Sequence, residues 1–418
     1  MNASSPHAPT AASMDQPSSI FPDSRRERNF LLLLACMQFT HMVDFMILMP
    51  LGPRLLDAFG MTPGRFGSIV SAYTFSAGIA SVLAALFLDR VDPRKTMLFV
   101  YFGFIVSTTL CGLAPNEHLL MIARILTGGF GGVMVATVFA MIGDVIPLNR
   151  RGAAMGLVMT AFSVASVVGV PLGILISNHF GWQAPFYGIA ALSVVMWIAA
   201  FRLLPSLRRP GSGTRMSSPL ADFVKILSVP LHWRAFGFTF AMMGPFLMIP
   251  FISSYYFANG GVSNTQMPLV FFAGGLATFF TTRIFGRMGD RFGLASVYGW
   301  TALASVVPIL LITHFGHWGI WAAMPATALG MVLISGRIAP GMALVTSVVE
   351  PRLRGGFMSL NTAVQQVASG VGSLVGGALI VQGSNGKFEG YGTVGWISGA
   401  VMLVSIWLGS GLMTKDAS

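Results

Sequence analysis

The sequence predicts an all-α membrane protein of twelve transmembrane helices arranged as two pseudo-symmetric six-helix bundles. Three observations predict it. Of the 418 residues, 54% are hydrophobic and 9% charged, with a mean hydropathy of +0.73, whereas soluble domains carry about 25% charge. Apolar runs of about 20 residues recur along the chain, the length that crosses a ~30 Å hydrocarbon core at 1.5 Å per residue. A stretch near the end of the first half of the chain reappears in the second half.

Taken in order, residues 1–29 are rich in Ser, Pro and Ala and end in Arg25, Arg26, Glu27 and Arg28. They read as a disordered cytoplasmic tail. A secretory signal would place its charges ahead of a shorter apolar core with a cleavage site. The runs follow at 30–53, 66–88, 96–114, 118–142, 152–177 and 183–204, then 232–257, 267–288, 295–314, 318–349, 356–382 and 391–413. Residues 30–204 form the first bundle, 232–413 the second, and 414–418 a second cytoplasmic tail. The tenth run is overlong, and Pro340-Gly341 is expected to kink it. Between the bundles, 205–231 carries PSLRRPGSGTRMSSP, the composition of a flexible linker.

Basic residues set the orientation. Of the 25 Lys and Arg, 19 fall in connections on the side of the amino terminus, and only Arg54, Arg65 and Lys387 lie opposite. That asymmetry places both termini in the cytoplasm of an inner-membrane protein. The net charge of +11 therefore has a topological use and does not imply nucleic acid. Cys36 and Cys111 lie in apolar runs, where a thiol acts as a small hydrophobe. No phosphate-binding glycine loop, HExxH or intramembrane catalytic grouping occurs, so neither an enzyme nor a cofactor is expected, and transport would be driven by a gradient. The 26 methionines raise a soft-metal path, but they do not cluster, and no metal site is assigned.

RRGAAMGLVMTAFSVASVVGVPLG (150–173) aligns without gaps on LRGGFMSLNTAVQQVASGVGSLVG (353–376), matching Arg151 to Arg354, Gly169 to Gly372 and Gly173 to Gly376. Asp89-Arg90 and Asp290-Arg291 form a second echo. Duplicated membrane architectures bind substrate near the midplane between the repeats and rock one repeat against the other.

These features resemble the major facilitator superfamily over residues 30–413. GRMGDRFG (286–293) is similar to its G-x-x-x-D-R-x-G loop signature. The first-half copy, ALFLDRVDPRK (85–95), keeps Asp89, Arg90, Arg94 and Lys95, with Ala85 and Asp92 in the glycine places. Arg124-Ile-Leu-Thr-Gly128 resembles the R-x-x-x-G motif of proton-coupled exporters. Gly169-Val-Pro171-Leu-Gly173 is a shortened relative of an antiporter motif. Within the superfamily the chain looks most like bacterial drug:proton antiporters and arabinose-efflux-permease-like exporters. The resemblance implies proton-coupled efflux of small organic molecules by alternating access. A proton symporter for a sugar, acid or metal ion is the alternative, with a membrane receptor or channel behind it. A monomer in the lipid bilayer is expected.

Candidate site residues follow from charge in apolar surroundings. An ionised carboxylate at the bilayer centre costs on the order of 3 kcal/mol or more and marks function by default. Asp44 lies 14 residues into the first run and Arg124 six residues into the fourth, which enters from the other side. Both fall about 9 Å below the outer face, so a proton-coupling pair is expected. A purely structural pair is the other reading. His41 and Gln38 continue the face of Asp44 inward at helical spacing, His41 as a relay or substrate contact and Gln38 as a substrate contact. Asn361 and Gln365 interrupt the eleventh run, where pathway lining competes with interhelical hydrogen bonding. Met243 and Tyr255 belong to a Met/aromatic surface in the seventh run, suited to varied apolar ligands or to ordinary packing. Arg337 is expected to face the cavity, and Arg283 to snorkel. By resemblance, Asp89, Arg90, Asp144, Arg151, Asp290, Arg291 and Arg354 form a gate of salt bridges between the bundles.

Overall fold

The computed structural model describes residues 24–88, 91–205, 219–314, 316–350 and 352–412. Helices account for nearly all of them. The first six spans are α1 (Ser24–Ile47), α3 (Pro63–Phe87), α4 (Pro93–Leu113), α5 (Glu117–Val145), the pair α6 (Leu148–Val164) and α7 (Val170–Phe180), and α8 (Ala184–Leu203), with a short α2 (Gly52–Phe59) after α1. After α9 (Pro219–Leu227), the second six are α10 (Pro230–Met242) with α11 (Ile252–Ala258), α12 (Met267–Phe292), α13 (Leu294–Thr313), α14 (Ile320–Gly336) with α15 (Ile338–Ser347), α16 (Arg354–Leu379) and α17 (Tyr391–Ser410).

Helix starts follow local chemistry. Thr62 accepts from the Arg65 backbone N–H ahead of Pro63, Asp92 from Arg94 ahead of Pro93, and Asn116 from Leu119. Each cap satisfies an N–H that has no partner within its helix, and proline in the first turn has no N–H to lose.

Among the described residues, nine spans are long and apolar enough to cross a membrane, and the bent pair of α10 and α11 makes a tenth. α12 and α16, 26 residues each, complete the twelve. α16 is less apolar because Asn361, Gln365 and Gln366 interrupt it, and among the described residues α12 contributes the apolar stretch Met267–Thr281.

α3 packs on α5, α4 on α5 and α8, and α1 on α6 and α8; α12 packs on α14, and α17 on α13 and α10. The two groups meet along α3 against α16 and along α7 against α12. Small residues make that seam close: a side chain at Gly67 would meet the Ser373 carbonyl, and one at Gly275 the backbone of Ser166. The seam is shut at the end away from the start of α1. There Phe66 meets Phe251 edge-on with ring centroids 6.0 Å apart, and Asn178 Nδ2 donates to the Asn264 carbonyl at 3.1 Å.

Five expectations change. α1 begins at Ser24, ahead of residue 30, because Glu27 is buried and held by Arg150 Nη2 at 2.7 Å. The linker is not wholly flexible: Pro219–Leu227 is helical, with Phe223 and Ile226 buried in an apolar cluster with Phe236 and Phe357, while 206–218 lies outside the described residues. The seventh run is not one helix. Pro245 and Pro250 fall in two 3₁₀ turns, Gly244–Leu247 and Ile249–Phe251, and the halves bend by 42°. The tenth run breaks at Arg337, ahead of Pro340. A proline cannot bond the carbonyl four residues back and crowds it, and that carbonyl belongs to Gly336, so the proline acts at the position where α14 ends. Finally, the eleventh run stops at Leu379 and a two-stranded antiparallel hairpin, β1 (Val381–Gln382) and β2 (Phe388–Glu389), precedes α17.

Candidate functional site

Asp44 and Arg124, brought to one level by opposite helix directions, meet directly. Arg124 Nη1 donates to Asp44 Oδ2 at 2.8 Å and reaches the Asp44 carbonyl at 3.4 Å. Asp44 is 0% and Arg124 1% exposed. Thr108 of α4 donates to Asp44 Oδ1 at 3.4 Å. The guanidinium also lies over the Tyr73 ring, 4.3 Å from its centroid, a cation–π contact that desolvation strengthens. Ionic, hydrogen-bonding and π partners thus surround one buried cation, the condition under which such a charge is tolerated.

The R-x-x-x-G spacing has a steric reading here. One turn beyond Arg124, Gly128 faces the Tyr73 carbonyl and Ser76, and a side chain there would collide with both. The glycine lets α3 approach until the Tyr73 ring slides under the guanidinium. Gly131 does the same for His41, whose Nε2 would strike any side chain at that position. His41 is buried and its Nε2 lies 2.8 Å from Tyr73 Oη. Its ring also packs near Phe104, with centroids 6.0 Å apart. The neighbouring Thr40 pairs with Tyr101 at 2.8 Å. Gln38 is buried one turn away.

An aromatic contact leads from this group to the other bundle. Phe45 packs at a tilt against Tyr73, ring centroids 5.3 Å apart, and against Phe246, in the broken part of the seventh span, at 6.5 Å.

The remaining candidates lie elsewhere. Asn361 accepts from Thr239 at 2.7 Å, and it and Gln365 donate to Met342 Sδ at 3.8 and 3.3 Å. Tyr255 packs on Tyr391, ring centroids 4.4 Å apart. Met243 is half-buried at the end of α10. Arg337 is 2% exposed, and its Nη1 donates to the Met242 carbonyl at 2.8 Å and to Met402 Sδ at 3.0 Å. All of these contacts stay inside the second bundle.

Of the gate set, Asp89 and Arg90 lie outside the described residues, as does the side chain of Asp290; so does that of Arg283, expected to snorkel. Arg151 donates to the Ile146 carbonyl at 2.8 Å, at the end of α5, a favourable place for a cation. Arg291 lies over Phe292. Arg354 and Asp144 are exposed.

Tyr73 and Thr108 are the participants that sequence reasoning did not single out. Neither carries charge, and a hydroxyl in a span usually bonds within its own helix, as Thr74 does to Ser71. The signal available for Tyr73 was the Arg124–Gly128 spacing, which demands a neighbouring backbone at that level. A groove of 810 Å³ lined by Leu83, Phe99, Leu126 and Phe130 lies apart from the pair, along α3, α4 and α5. With Phe99 70% exposed, it reads as a bilayer-facing surface.

The sequence matches the Major Facilitator Superfamily over residues 34–259 and again over 234–418. Among curated relatives, the uncharacterized MFS-type transporter YwfA of Bacillus subtilis (strain 168) is 26% identical over 406 residues, covering 92% of this chain and 93% of the relative. YceJ of the same organism, also described as an uncharacterized MFS-type transporter, is 23% identical over 355 residues, covering 84% and 89%. Among solved structures, the nucleoside transporter NupG superposes with a TM-score of 0.74 at 12% identity, covering 92% of this chain and all of that one. A bacterial homolog of the human lysosomal transporter Spinster, inward-facing and unoccupied, gives 0.69 at 14% identity, covering 93% and 96%. The chain belongs to the Major Facilitator Superfamily, multi-pass membrane proteins that carry small molecules by secondary transport and alternating access.

Proposed function

We propose that this transporter is a proton-coupled exporter of small organic molecules in the bacterial inner membrane, with both termini in the cytoplasm and residues 30–204 and 232–413 rocking against each other. The observation that carries the reading is the fully buried Asp44–Arg124 pair at 2.8 Å. Buried ion pairs contribute little net stability, and apolar packing can replace them. In a span such a pair points to titration more than to support. Asp44 alternates between a proton and Arg124 or a cationic substrate. The guanidinium favours the ionised carboxylate, and exclusion of water favours the protonated one. Competition between these effects couples proton entry to substrate exit.

In this reading Gln38, Asp44 and Met243 contact substrate, while Asn361, Gln365, Tyr255 and Arg337 hold the second bundle's wall in shape. Asp89, Arg90, Asp144, Arg151, Asp290, Arg291 and Arg354 act at the cytoplasmic gate. The excess of basic residues on the side of the termini supports the orientation.

The test is transport in proteoliposomes with an imposed pH gradient, using a panel of cationic and neutral organic compounds. The wild-type chain is expected to move substrate against the proton flow, and Asp44→Asn to lose gradient-driven movement while still binding. Undiminished coupled transport by Asp44→Asn would remove Asp44 from the mechanism. Substrate moving with the protons would turn export into uptake.

A further inference from the structure

Two polar atoms on one face of α1 are buried without a hydrogen-bond partner: Gln38 Oε1 and His41 Nδ1. Each residue is 5% exposed, and three-residue spacing sets their side chains one above the other. A buried polar group left unpaired costs about 1–3 kcal/mol, so two together call for a ligand.

Tyr73 decides what that ligand must be. Its ring is 2% exposed, and its hydroxyl meets His41 Nε2 at 2.8 Å. If Nε2 carried the imidazole proton, the phenol would accept, and its own O–H would be buried with no acceptor. If Nε2 is the acceptor, the phenol is satisfied and the ring proton resides on Nδ1. The guanidinium over the phenol ring also polarises the O–H and makes it a better donor. The second arrangement leaves fewer unmet groups, and it makes the two orphans complementary, Nδ1–H a donor and Gln38 Oε1 an acceptor. A water molecule accepts from one and donates to the other. Buried waters serve such polar groups.

We propose that Tyr73 fixes His41 as the Nδ1–H tautomer and that a water bridging His41 Nδ1 and Gln38 Oε1 forms the first step of a proton path from the Asp44–Arg124 pair toward the start of α1. The path rests on the proton-coupled reading above; the tautomer does not. His41 takes a proton on Nε2 as Asp44 gives one up, and the ring, now a cation, releases the Nδ1 proton to the water. Charge is conserved, and the ring returns to neutral as the opposite tautomer, with Nε2–H donating to a Tyr73 hydroxyl that has turned. The ring regains its starting tautomer by exchange with water on that same side, Nδ1 taking one proton as Nε2 gives one up, so that no net proton moves in the reset. The titratable or charged groups gathered about His41 are Asp44 on its own helix, Tyr73 from α3, Arg124 from α5, and Tyr101 from α4, which holds Thr40.

The experiment uses the full chain, labelled with ¹⁵N-histidine, in lipid nanodiscs. Ring nitrogen shifts distinguish the tautomers, and His41→Gln identifies the His41 signals among the seven histidines. His41 is expected as Nδ1–H, and Tyr73→Phe, which keeps the ring under Arg124, is expected to shift it toward Nε2–H. Gln38→Met, of similar size, should keep the tautomer and the melting temperature but slow pH-driven transport about tenfold, the effect of roughly one lost hydrogen bond. An Nε2–H histidine in the wild-type chain would overturn the proposal, as would an unchanged rate in Gln38→Met. The expected tautomer in a chain that shows no pH-driven transport would overturn the path and the exporter reading together, leaving only the role of Tyr73 as tautomer lock.

Discussion

The two bundles join their first and fourth spans in different ways. In the first bundle the link is an ion pair, Asp44 to Arg124 at 2.8 Å. At the matching level of the second it is neutral, Tyr256 Oη with Thr327 Oγ1 at 2.9 Å, both buried. The register that sets Arg151 against Arg354 sets Thr327 opposite Arg124, so a cation and a hydroxyl occupy the same place in the repeat. The second bundle has its own buried cation, Arg337, but ten residues farther along, about 15 Å on a helix, and its partners include a carbonyl, a thioether and the Tyr298 hydroxyl. A duplicated scaffold has kept its packing while its chemistry diverged. A neutral hydroxyl pair joins helices without a group that titrates near neutrality. An ion pair joins them at a cost and adds a site whose charge can change.

That contrast is broken most forcefully by removing one member of the pair. Arg124→Leu leaves Asp44 buried beside no cation and should lower stability by about 3–5 kcal/mol, the usual penalty for half of a buried pair. The double variant Asp44→Leu with Arg124→Leu should recover most of that loss in a thermal melt while remaining inert in pH-driven transport. If the double variant stays as unstable as the single one, the pair is a structural support and the difference between the bundles carries no functional lesson.

Next in size is the approach of α3 to α5. Gly128 faces the Tyr73 carbonyl, whereas a side chain on the adjacent Gly129 would meet nothing within 4 Å. Gly128→Ala is expected to cost about 1–3 kcal/mol, as overpacking does, and to weaken the Tyr73 contact with Arg124. Gly129→Ala should be neutral or slightly stabilising, since alanine is the better helix former. Equal effects at the two positions would mean that the glycine spacing does not set the geometry of the site.

What the sequence revealed and what it concealed divide along a physical line. Charge in an apolar run is conspicuous, and the level of Asp44 and Arg124 followed from run length and helix rise alone. Glu27 reads as part of a tail because Arg25, Arg26 and Arg28 surround it, and only its pairing with Arg150 shows that the helix has already begun. Phe223 and Ile226 are masked in the sequence by the Pro/Gly/Ser stretch that precedes them, although Pro219–Leu227 contains no glycine and its only proline stands at the helix start, where proline is tolerated. Tyr73 was hidden for a different reason: an uncharged side chain acquires its role from what lies across from it, and no periodicity within one helix reports that. Asn361 and Gln365 were visible as polar but ambiguous, and their bonds to Thr239 and Met342 favour the interhelical explanation.

The two smallest effects test the neutral bundle. Tyr256→Phe removes one hydroxyl from a buried pair in which Thr327 has no other described partner. The expected loss is about 1 kcal/mol in a melt, with the pH dependence of transport unmoved. Arg337→Met should cost less still, within about 1 kcal/mol of the wild-type chain. The variant gives up a bond to the Met242 carbonyl, a contact with Met402 and a bond with the Tyr298 hydroxyl, but it also relieves a guanidinium buried without a described carboxylate partner. These contributions oppose each other, as they do when apolar side chains replace buried charges. Methionine fills much of the space left by the arginine stem. A large destabilisation would show that the cation is needed where α10 ends and α14 gives way to α15, clamping the two broken spans together. The second bundle would then rest on charge as the first does, in a bond to backbone at a helix end in place of a pair that can titrate.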